Sequence, residues 1–396
     1  MGDTGINKNY CCDIEIPEKA KNVKAFLVME IMEKAEAMER AGADIVHLEV
    51  GEPDFETPPA VVESAVKALR DGKTHYTHSM GLLELREAIA EDYFLKYGVT
   101  VDPECIIVTS GTSSAMTLAF SVLVRPGYEV AITDPHYACY PNFIRFADGI
   151  PSLIPVGEED GFQFKIDRLR ESLTERTCSI LINSPSNPGG TLIAAEVMKE
   201  IAEIGIPVVS DEIYHGLVYG DRAHSILEYT PDAFVINGFS KLYAMTGWRV
   251  GYVIAPKKCV RTMQKLHQNF FISANSFVQW AAITALKDTR EDTSRMVDTY
   301  NERRKFMLSE LKAMGFNVPV EPTGAFYMLV NMKHVSTDSY KLAFEILEKA
   351  KVAVTPGIDF GPGGEGFIRF SYANSIENIG EGMKRLRRFL AGKGLA

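Results

Sequence analysis

The feature that most constrains the fold is a regular alternation of short apolar runs with longer amphipathic segments. The apolar runs have the length of buried strands and occupy 105–109, 128–133, 151–156, 178–183, 206–210, 233–237 and 249–255. Apolar residues at helical spacing fill segments between them, including 113–124, 138–147 and 194–204. Alternating strands and helices form a sheet whose crossover helices cover both faces. We therefore predict an α/β fold with three layers and a mostly parallel sheet.

The carboxy-terminal third departs from this alternation. Residues 289–314 are predicted to form one long helix, with apolar positions at Met296, Tyr300, Met307, Leu308 and Leu311. Strands are predicted at 325–330 and 366–372, and helices at 339–350 and 377–392. A chain of 396 residues has room for two or three domains. We expect the long helix to lead into a smaller α+β domain.

One lysine lies in a segment that is typical of neither a helix face nor a solvated charge run. Lys241 belongs to the segment 240–249, between the predicted strands 233–237 and 249–255. Loops at strand ends often carry the residues that do chemistry. A lysine amine can form a Schiff base with an aldehyde cofactor, so Lys241 is a candidate covalent anchor. The alternative is a solvated lysine, the commoner state of a lone lysine in a loop.

An acidic residue suited to the same cofactor follows the apolar run 206–210. Asp211 lies at the carboxyl end of this predicted strand, where open parallel sheets bind ligands. A carboxylate there could keep the ring nitrogen of pyridoxal phosphate protonated. Tyr214, three residues later, could hydrogen-bond the ring's 3-hydroxyl oxygen. Taken alone, an aspartate at this position is more often a helix cap.

Residues 106–116 contain a strand, a turn of small residues and a helix in that order. Gly111 permits a close backbone approach, and Thr112 and Ser113 add hydroxyl groups at the predicted helix start, which is a favourable place for a phosphate. Ser240 and Arg249 could complete the phosphate site, the arginine by bidentate pairing. Such a turn can also be an ordinary helix cap.

Residues 361–366 match the pattern G-x-G-x-x-G but do not indicate a dinucleotide site. A proline interrupts the glycines, and a strand follows where a helix would be required. In that strand Phe367, Arg369 and Ser371 share one face. A buried Arg369 needs an anion, which could be a substrate carboxylate or the partner in a structural ion pair.

Together these motifs resemble those of the class I and II aminotransferases, which are fold-type I pyridoxal-phosphate enzymes, over about residues 25 to 393. The matching features occur in the same order along the chain. They are 48–55 (LEVGEPDF), Tyr76 with Gly81, Leu85 and Arg86, 183–190 (NSPSNPGG), 211–214 (DEIY), Ser240 and Lys241 with 247–251 (GWRVG), and 367–371 (FIRFS).

The resemblance implies a role for each matching residue. Lys241 would bind pyridoxal 5'-phosphate covalently and later move a proton, Asp211 would bind the ring nitrogen, and Tyr214 and Asn187 would contact the ring oxygen. Tyr137 would stack on the ring. The implied phosphate contacts are Gly111, Thr112, Ser240 and Arg249, with Tyr76 reaching the phosphate of the neighbouring subunit in a homodimer. The implied contacts of the substrate α-carboxylate are Arg369, Asn187 and the backbone at Gly51.

The resemblance also implies a domain division. Residues 46–288 would form the large cofactor-binding domain, and 1–45 would join 289–396 in the small domain. The helix near 26–41 would pack with that small domain.

The implied activity is transfer of an amino group between an L-amino acid and a 2-oxo acid such as 2-oxoglutarate by a ping-pong mechanism. A carbon–sulfur β-lyase of the same fold remains the alternative, and acceptor-independent release of pyruvate and sulfide would identify it. Two departures from the family pattern are present. Gly189 replaces the usual threonine or serine before Gly190, and no arginine or lysine can be assigned to a side-chain carboxylate of the substrate. The preferred donor therefore stays open.

Composition argues against several classes of partner. A net charge of −10 gives no attraction to nucleic acid or to anionic membranes. The polar amino terminus lacks a signal-peptide pattern, and no apolar run is long enough to span a bilayer, so we expect a cytoplasmic enzyme. Neither the histidines nor the cysteines show metal-ligand spacing, and we expect no metal site and six free thiols, at Cys11, Cys12, Cys105, Cys139, Cys178 and Cys259.

Overall fold

The computed structural model describes residues 14–394. The expected thiols Cys11 and Cys12 lie outside this range, and the four described cysteines are free. In chain order the helices and strands are α1 Glu18–Lys21, α2 Leu27–Arg40, β1 Val46–His47, α3 Pro59–Arg70, α4 Leu83–Tyr97, β2 Ile106–Thr109, α5 Thr112–Leu123, β3 Glu129–Asp134, α6 Tyr140–Phe146, β4 Ile150–Pro155, α7 Ile166–Ser172, β5 Thr177–Asn183, α8 Ala195–Glu203, β6 Val208–Asp211, β7 Ala233–Gly238, β8 Gly251–Ile254, α9 Lys257–Phe270, α10 Ser276–Asp288, α11 Arg290–Ala313, β9 Tyr327–Asn331, α12 Ser339–Ala350, β10 Val352–Ala353, β11 Thr355–Pro356, β12 Phe367–Ser371 and α13 Ile376–Gly392.

The main sheet has seven strands in the order β2-β8-β7-β6-β5-β3-β4. β8 runs antiparallel to both of its neighbours, and the pairs from β7 to β4 are all parallel. The inner strands are buried along nearly their whole length, as expected when helices cover both faces. The predicted three-layer α/β fold is confirmed, and each of the seven apolar runs overlaps one of these strands.

Two smaller sheets are formed with carboxy-terminal strands. β12 lies between β11 and β9, antiparallel to both, and Arg369 of β12 pairs with Thr355 and Leu329. β1 pairs in parallel with β10, so Val46 lies opposite Val352. The predicted domain division at residues 46 and 288 stays a prediction.

The predicted long helix is α11, and its five predicted apolar positions are buried. A sixth buried position is Arg303, whose Nη1 donates to Asp54 Oδ1 at 2.7 Å. The guanidinium also lies 5.0 Å from the centre of the Phe55 ring. The helix therefore anchors the loop after β1 through an ion pair as well as through apolar packing.

Helix α2 is fastened at its first turn by a carboxylate from the other end of the chain. Asp359 Oδ1 accepts from the Leu27 N–H at 2.9 Å, and its Oδ2 accepts from the Val28 N–H at 3.2 Å. These N–H groups have no partner inside the helix, so a carboxylate is a favourable cap. The amino-terminal helix is thereby joined to the carboxy-terminal region.

The glycine-rich segment before β12 forms a compact turn, as its sequence predicts. Its 3₁₀ turns at Gly357–Phe360 and Pro362–Gly364 lead directly into the strand. The Gly363 N–H donates to Asp134 Oδ1 at 2.8 Å, which ties the turn to the end of β3. No helix follows the glycines, so the dinucleotide pattern lacks its structural context.

Within residues 14–394, no helix is long and apolar enough to cross a membrane. The same residues contain no group of three or more histidine, cysteine, aspartate or glutamate side chains arranged to hold a metal ion.

Candidate active site

Lys241 lies in the turn that leaves β7, and its amine is enclosed by protein. Nζ donates to the carbonyl oxygen of Gly51 and lies 6.0 Å from the centre of the Tyr214 ring. Burial lowers the pKa of the amine to about 8, against the opposing effect of Glu52. An amine with this pKa can lose its proton close to neutral pH, as a nucleophile or a general base requires. The alternative of a solvated lysine is therefore wrong.

Asp211 ends β6 and is buried beneath the same cavity. Its Oδ2 accepts from the Tyr140 hydroxyl at 2.7 Å, and its Oδ1 accepts from the Ile213 N–H at 3.2 Å. Burial nevertheless raises the pKa of this carboxyl group to about 6. A cation bound beside Asp211 would lower the pKa again, because an opposite charge stabilises the carboxylate. The position therefore favours a positively charged ligand group such as a protonated ring nitrogen.

Tyr214 and Asn187 approach the cavity with hydrogen bonds already formed. The Tyr214 hydroxyl lies 2.8 Å from that of Tyr327. The Asn187 N–H donates to Asn183 Oδ1 at 2.7 Å, and its side-chain oxygen accepts from Arg369. Their predicted contacts with the ring oxygen stay predictions.

The start of helix α5 and Arg249 form the predicted phosphate end of the site. Gly111 precedes the helix with φ +81°, and a Cβ at this position would lie 2.5 Å from Arg249 Nη2. The guanidinium is held over the turn by a 3.0 Å bond from Nη1 to the Thr246 carbonyl. Thr112, Ser113, Ser240 and Arg249 line one cavity, while Gly111 lies behind the arginine. Helix N–H groups, hydroxyls and a guanidinium form a suitable phosphate site.

Arg369 is buried in β12 and donates to neutral acceptors. Nη1 donates to Asn187 Oδ1 at 2.9 Å, and Nη2 donates to the Glu49 carbonyl at 2.6 Å and to Thr355 Oγ1 at 3.1 Å. Arg369 is 2% exposed, and its Nε has no hydrogen-bond partner. The strand and its neighbours thus orient the guanidinium without neutralising it.

Aromatic rings support the same guanidinium. Its central carbon lies 4.3 Å from the centre of the Tyr327 ring and 4.8 Å from that of Phe360. No ion pair to Arg369 forms within residues 14–394, which removes the structural ion pair considered from sequence. A buried positive charge without a carboxylate partner is a favourable place for an anionic ligand.

Tyr137 lines the cavity between two other aromatic residues. Its ring makes edge contacts with Tyr140, at a centroid distance of 5.2 Å, and with Phe26, at 6.1 Å. The ring is therefore held in place by packing, as a stacking partner for a planar ligand needs to be.

These residues surround a single cavity of about 380 Å³, within the range of small-molecule sites. The cavity brings together most of the predicted site residues: Gly51, Thr112, Ser113, Tyr137, Asn187, Asp211, Tyr214, Ser240, Lys241, Arg249 and Arg369. The structure thus gathers into one place residues that are up to 318 positions apart, from Gly51 to Arg369.

Tyr76 is not part of this cavity. Its side chain is 86% exposed and lines an open cleft with Ser110 and residues 273–277. The predicted contact with the phosphate of a neighbouring subunit stays a prediction.

Several residues of the site were missed from the sequence. Tyr140 follows Tyr137 at helical spacing, which is a signal that could have been used. Tyr327 and Thr355 carry no motif of their own, and their places depend on strand pairing. Glu49 lies inside the matching segment 48–55, but the contact of its carbonyl with Arg369 was not predicted. Met29, one of the apolar residues of α2 that line the cavity, was likewise missed.

The residues fit pyridoxal phosphate as a bound group. The cavity contains a buried amine for its aldehyde and a buried carboxyl for its ring nitrogen. The start of α5 and Arg249 suit its phosphate. Arg369 lines the same cavity and donates only to neutral oxygens, so it suits an anionic group of a substrate.

The chain is similar to known aminotransferases over nearly its whole length. The family model "Aminotransferase class I and II" matches residues 43–386. A (5-formylfuran-3-yl)methyl phosphate transaminase of Methanocaldococcus jannaschii is 43% identical over 380 residues, which cover 95% of this chain and 99% of the relative. An aspartate aminotransferase of Pyrococcus horikoshii is 39% identical over 96% of this chain and 98% of its own length.

Solved structures show the same fold. Aspartate aminotransferase from Thermus thermophilus with maleate superposes with a TM-score of 0.91 at 36% identity, over 95% of this chain and 99% of the other. A Methanococcus jannaschii protein, described as similar in its active site to kynurenine aminotransferases, gives a TM-score of 0.89 at 42% identity, over 95% and 100% of the two chains.

Proposed function

The chain belongs to the class I and II aminotransferases, and on this premise we propose that its cavity binds pyridoxal phosphate and exchanges an amino group between an L-amino acid and a 2-oxo acid. The family depends on this cofactor. One observation carries the proposal: the buried Lys241 amine shares a cavity with the Asp211 carboxyl and with an Arg369 guanidinium that has no carboxylate partner. When bound, pyridoxal phosphate supplies an aldehyde for the amine and a protonated ring that withdraws electrons from the substrate α-carbon.

Each end of the cavity has a separate task in this proposal. Asp211 keeps the ring nitrogen protonated, and the Tyr140 hydroxyl holds the carboxylate in position. The start of α5 and Arg249 bind the phosphate and so fix the ring in the cavity. We propose that Tyr137 covers one face of the ring.

Lys241 is the proposed carrier of the proton. The side chain of Lys241 tethers its amine in the cavity, where it would serve the α-carbon of a bound substrate. Its pKa of about 8 without the cofactor shows that burial disfavours the charged form. A neutral amine can therefore accept a proton and return it at a neighbouring atom, as general base and then general acid.

Arg369 is the proposed site of the carboxylate that every amino acid and 2-oxo acid shares. Its fork of N–H groups can hold a carboxylate bidentately, and the guanidinium has no carboxylate partner within residues 14–394. Asn187 bonds Nη1 and so orients the guanidinium. On grounds of family resemblance we propose 2-oxoglutarate as an acceptor and a homodimer in which Tyr76 reaches the partner's phosphate.

Replacing Lys241 with alanine tests the proposal. We expect Lys241→Ala to bind the cofactor without covalent attachment and to lose amino-group transfer by several orders of magnitude. Borohydride reduction followed by mass spectrometry detects the attachment, and product formation measures transfer. Lys258→Ala is the matched control, because Lys258 is an exposed lysine paired with Asp232. Attachment and full turnover in Lys241→Ala would contradict the proposal, and acceptor-independent release of pyruvate and sulfide by the wild type would favour the β-lyase.

A further inference from the structure

The cavity has one apolar side, formed by the residue that precedes α2 and by the first turns of that helix. Phe26, Met29 and Met32, hereafter the α2 wall, line it. Residues spaced by three lie on neighbouring parts of one helix face. Met29 is 45% exposed, although it is a large apolar residue beside a cavity. The α2 wall therefore presents uncovered apolar surface to whatever enters.

The α2 wall is attached to the part of the protein that carries Arg369. Asp359, which caps α2, belongs to the 3₁₀ turn that directly follows β11. Thr355 of β11 is paired with Arg369 and bonded to its guanidinium. On the other side, the Phe26 ring contacts Tyr137. A substrate held by Arg369 at its α-carboxylate would thus have the α2 wall within reach of its side chain.

The charges that this chain places around the cavity do not suit a second substrate carboxylate. The cations that line it within residues 14–394 are Lys241, Arg249 and Arg369, and each already has a task in the proposed function. The other charged lining residues, Glu52 and Asp211, are acidic. A second carboxylate would leave water without gaining a cation, which is unfavourable.

Resting on the proposed function, we infer that the α2 wall is the side-chain subsite and that it selects amino acids with apolar or aromatic side chains over dicarboxylic ones. Methionine side chains are flexible and contact aromatic rings favourably, so the wall can adapt to side chains of different shape. Because one cavity serves both half-reactions, the corresponding 2-oxo acids should also be better acceptors than 2-oxoglutarate.

The first test compares donors on the wild-type holoenzyme. With one fixed acceptor, we expect kcat/KM for phenylalanine and methionine to exceed that for aspartate by about tenfold or more, the usual effect of a mismatched pocket. Calorimetry should likewise show tighter binding of 3-phenylpropanoate than of succinate, neither of which can react. A preference for aspartate and succinate would overturn the inference alone, whereas absence of transfer from every donor would refute the proposed function.

The second test places a cation on the α2 wall. We expect Met29→Lys to raise the ratio of kcat/KM for aspartate to that for phenylalanine by about tenfold, because the new ammonium can pair with the second carboxylate. Ala37→Lys adds the same charge at an exposed position of α2 outside the cavity and should leave the ratio unchanged. An unchanged ratio in Met29→Lys would overturn the inference. So would a strong wild-type preference for aspartate that is abolished by Lys24→Ala, a substitution next to the wall.

Discussion

Glu49 links an exposed edge of the protein to the proposed carboxylate site. Its backbone carbonyl accepts from Arg369 Nη2, and Thr355 Oγ1 donates to the same carbonyl at 3.0 Å. Its side chain is completely buried, and Oε1 lies 2.7 Å from His47 Nδ1. The other ring nitrogen of His47 lies 3.1 Å from Glu39 of α2. A single histidine therefore joins two carboxylates, one of which belongs to the residue that positions Arg369.

The His47 pair predicts a pH-dependent stability. Hydrogen bonding to Glu49 raises the pKa of His47 to about 9 from an ordinary 6.5, despite partial burial. Because the folded-state pKa is the higher one, the stabilisation is complete below about pH 6.5 and is lost as the pH rises through about 9. The free energy of unfolding of wild type and of His47→Gln can be measured with urea at several pH values. We expect the difference between the two proteins to shrink by roughly 1–2 kcal/mol over this window, after allowance for solvent screening.

His334→Gln is the control for that measurement. His334 is exposed and lies against the Phe316 ring, and it forms no ion pair within the described residues. The difference between wild type and this control should stay constant over the same pH range. A His47→Gln difference that is equally constant would show that the pair does not stabilise the fold.

At the scale of elements, the phosphate end depends on how closely β8 approaches the start of α5. A Cβ on Gly251, the first residue of β8, would lie 3.0 Å from the carbonyl carbon of Gly111 and 3.0 Å from the nitrogen of Thr112. These are backbone atoms, which cannot turn aside as a flexible side chain can. The antiparallel strand β8 therefore needs glycine where it meets the helix.

We predict that Gly251→Ala displaces the start of α5 and weakens cofactor binding. If overpacking of about 1–3 kcal/mol acts on binding, it lowers the affinity by roughly 5- to 150-fold. The dissociation constant of pyridoxal phosphate should rise more than that of pyridoxal, which lacks the phosphate. Gly247→Ala is the control, because a Cβ there meets no atom within 4 Å. An equal loss of affinity for the two ligands would show that the substitution does not act through the phosphate end.

At the scale of the whole molecule, Tyr76 is a predicted site residue that lies outside the cavity of its own chain. It is highly exposed and lines a cleft apart from the Lys241 cavity. Large exposed aromatic side chains often mark contact surfaces. In the proposed homodimer, each tyrosine would complete the site of the other subunit.

Subunit mixing tests this arrangement. A heterodimer of Lys241→Ala and Tyr76→Phe chains would contain one site with both lesions and one with neither, so activity should rise above that of either parent towards about half of wild type per dimer. Mixing Lys241→Ala with Tyr214→Phe is the control, because Tyr214 lines the cavity of its own chain and no intact site can form. If exchange occurs without recovery from an impaired Tyr76→Phe parent, Tyr76 acts within its own chain.

Much of this molecule was predictable because the signals are local in the chain. Strand and helix periodicity extends over a few residues, so it predicted the seven strands of the main sheet and the helix α11 within a few positions. The places of Lys241 and Asp211 followed in the same way, because Lys241 stands shortly after a strand and Asp211 ends one. Their chemical types then agree with the proposed cofactor, which needs an amine and a carboxylate.

Other properties were decided only by the tertiary structure. Whether Arg369 met a carboxylate or neutral oxygens depended on long-range contacts, such as the one with the Glu49 carbonyl 320 positions away. The position of the α2 wall likewise depends on a distant residue. Asp359 caps the first turn of α2 and lies more than 300 positions from Leu27. The sequence by itself determined which local elements form and which reactive groups they carry. Only long-range packing decided which charges are compensated, because compensation depends on distance in space, and residues far apart in the chain share no periodicity that would reveal it.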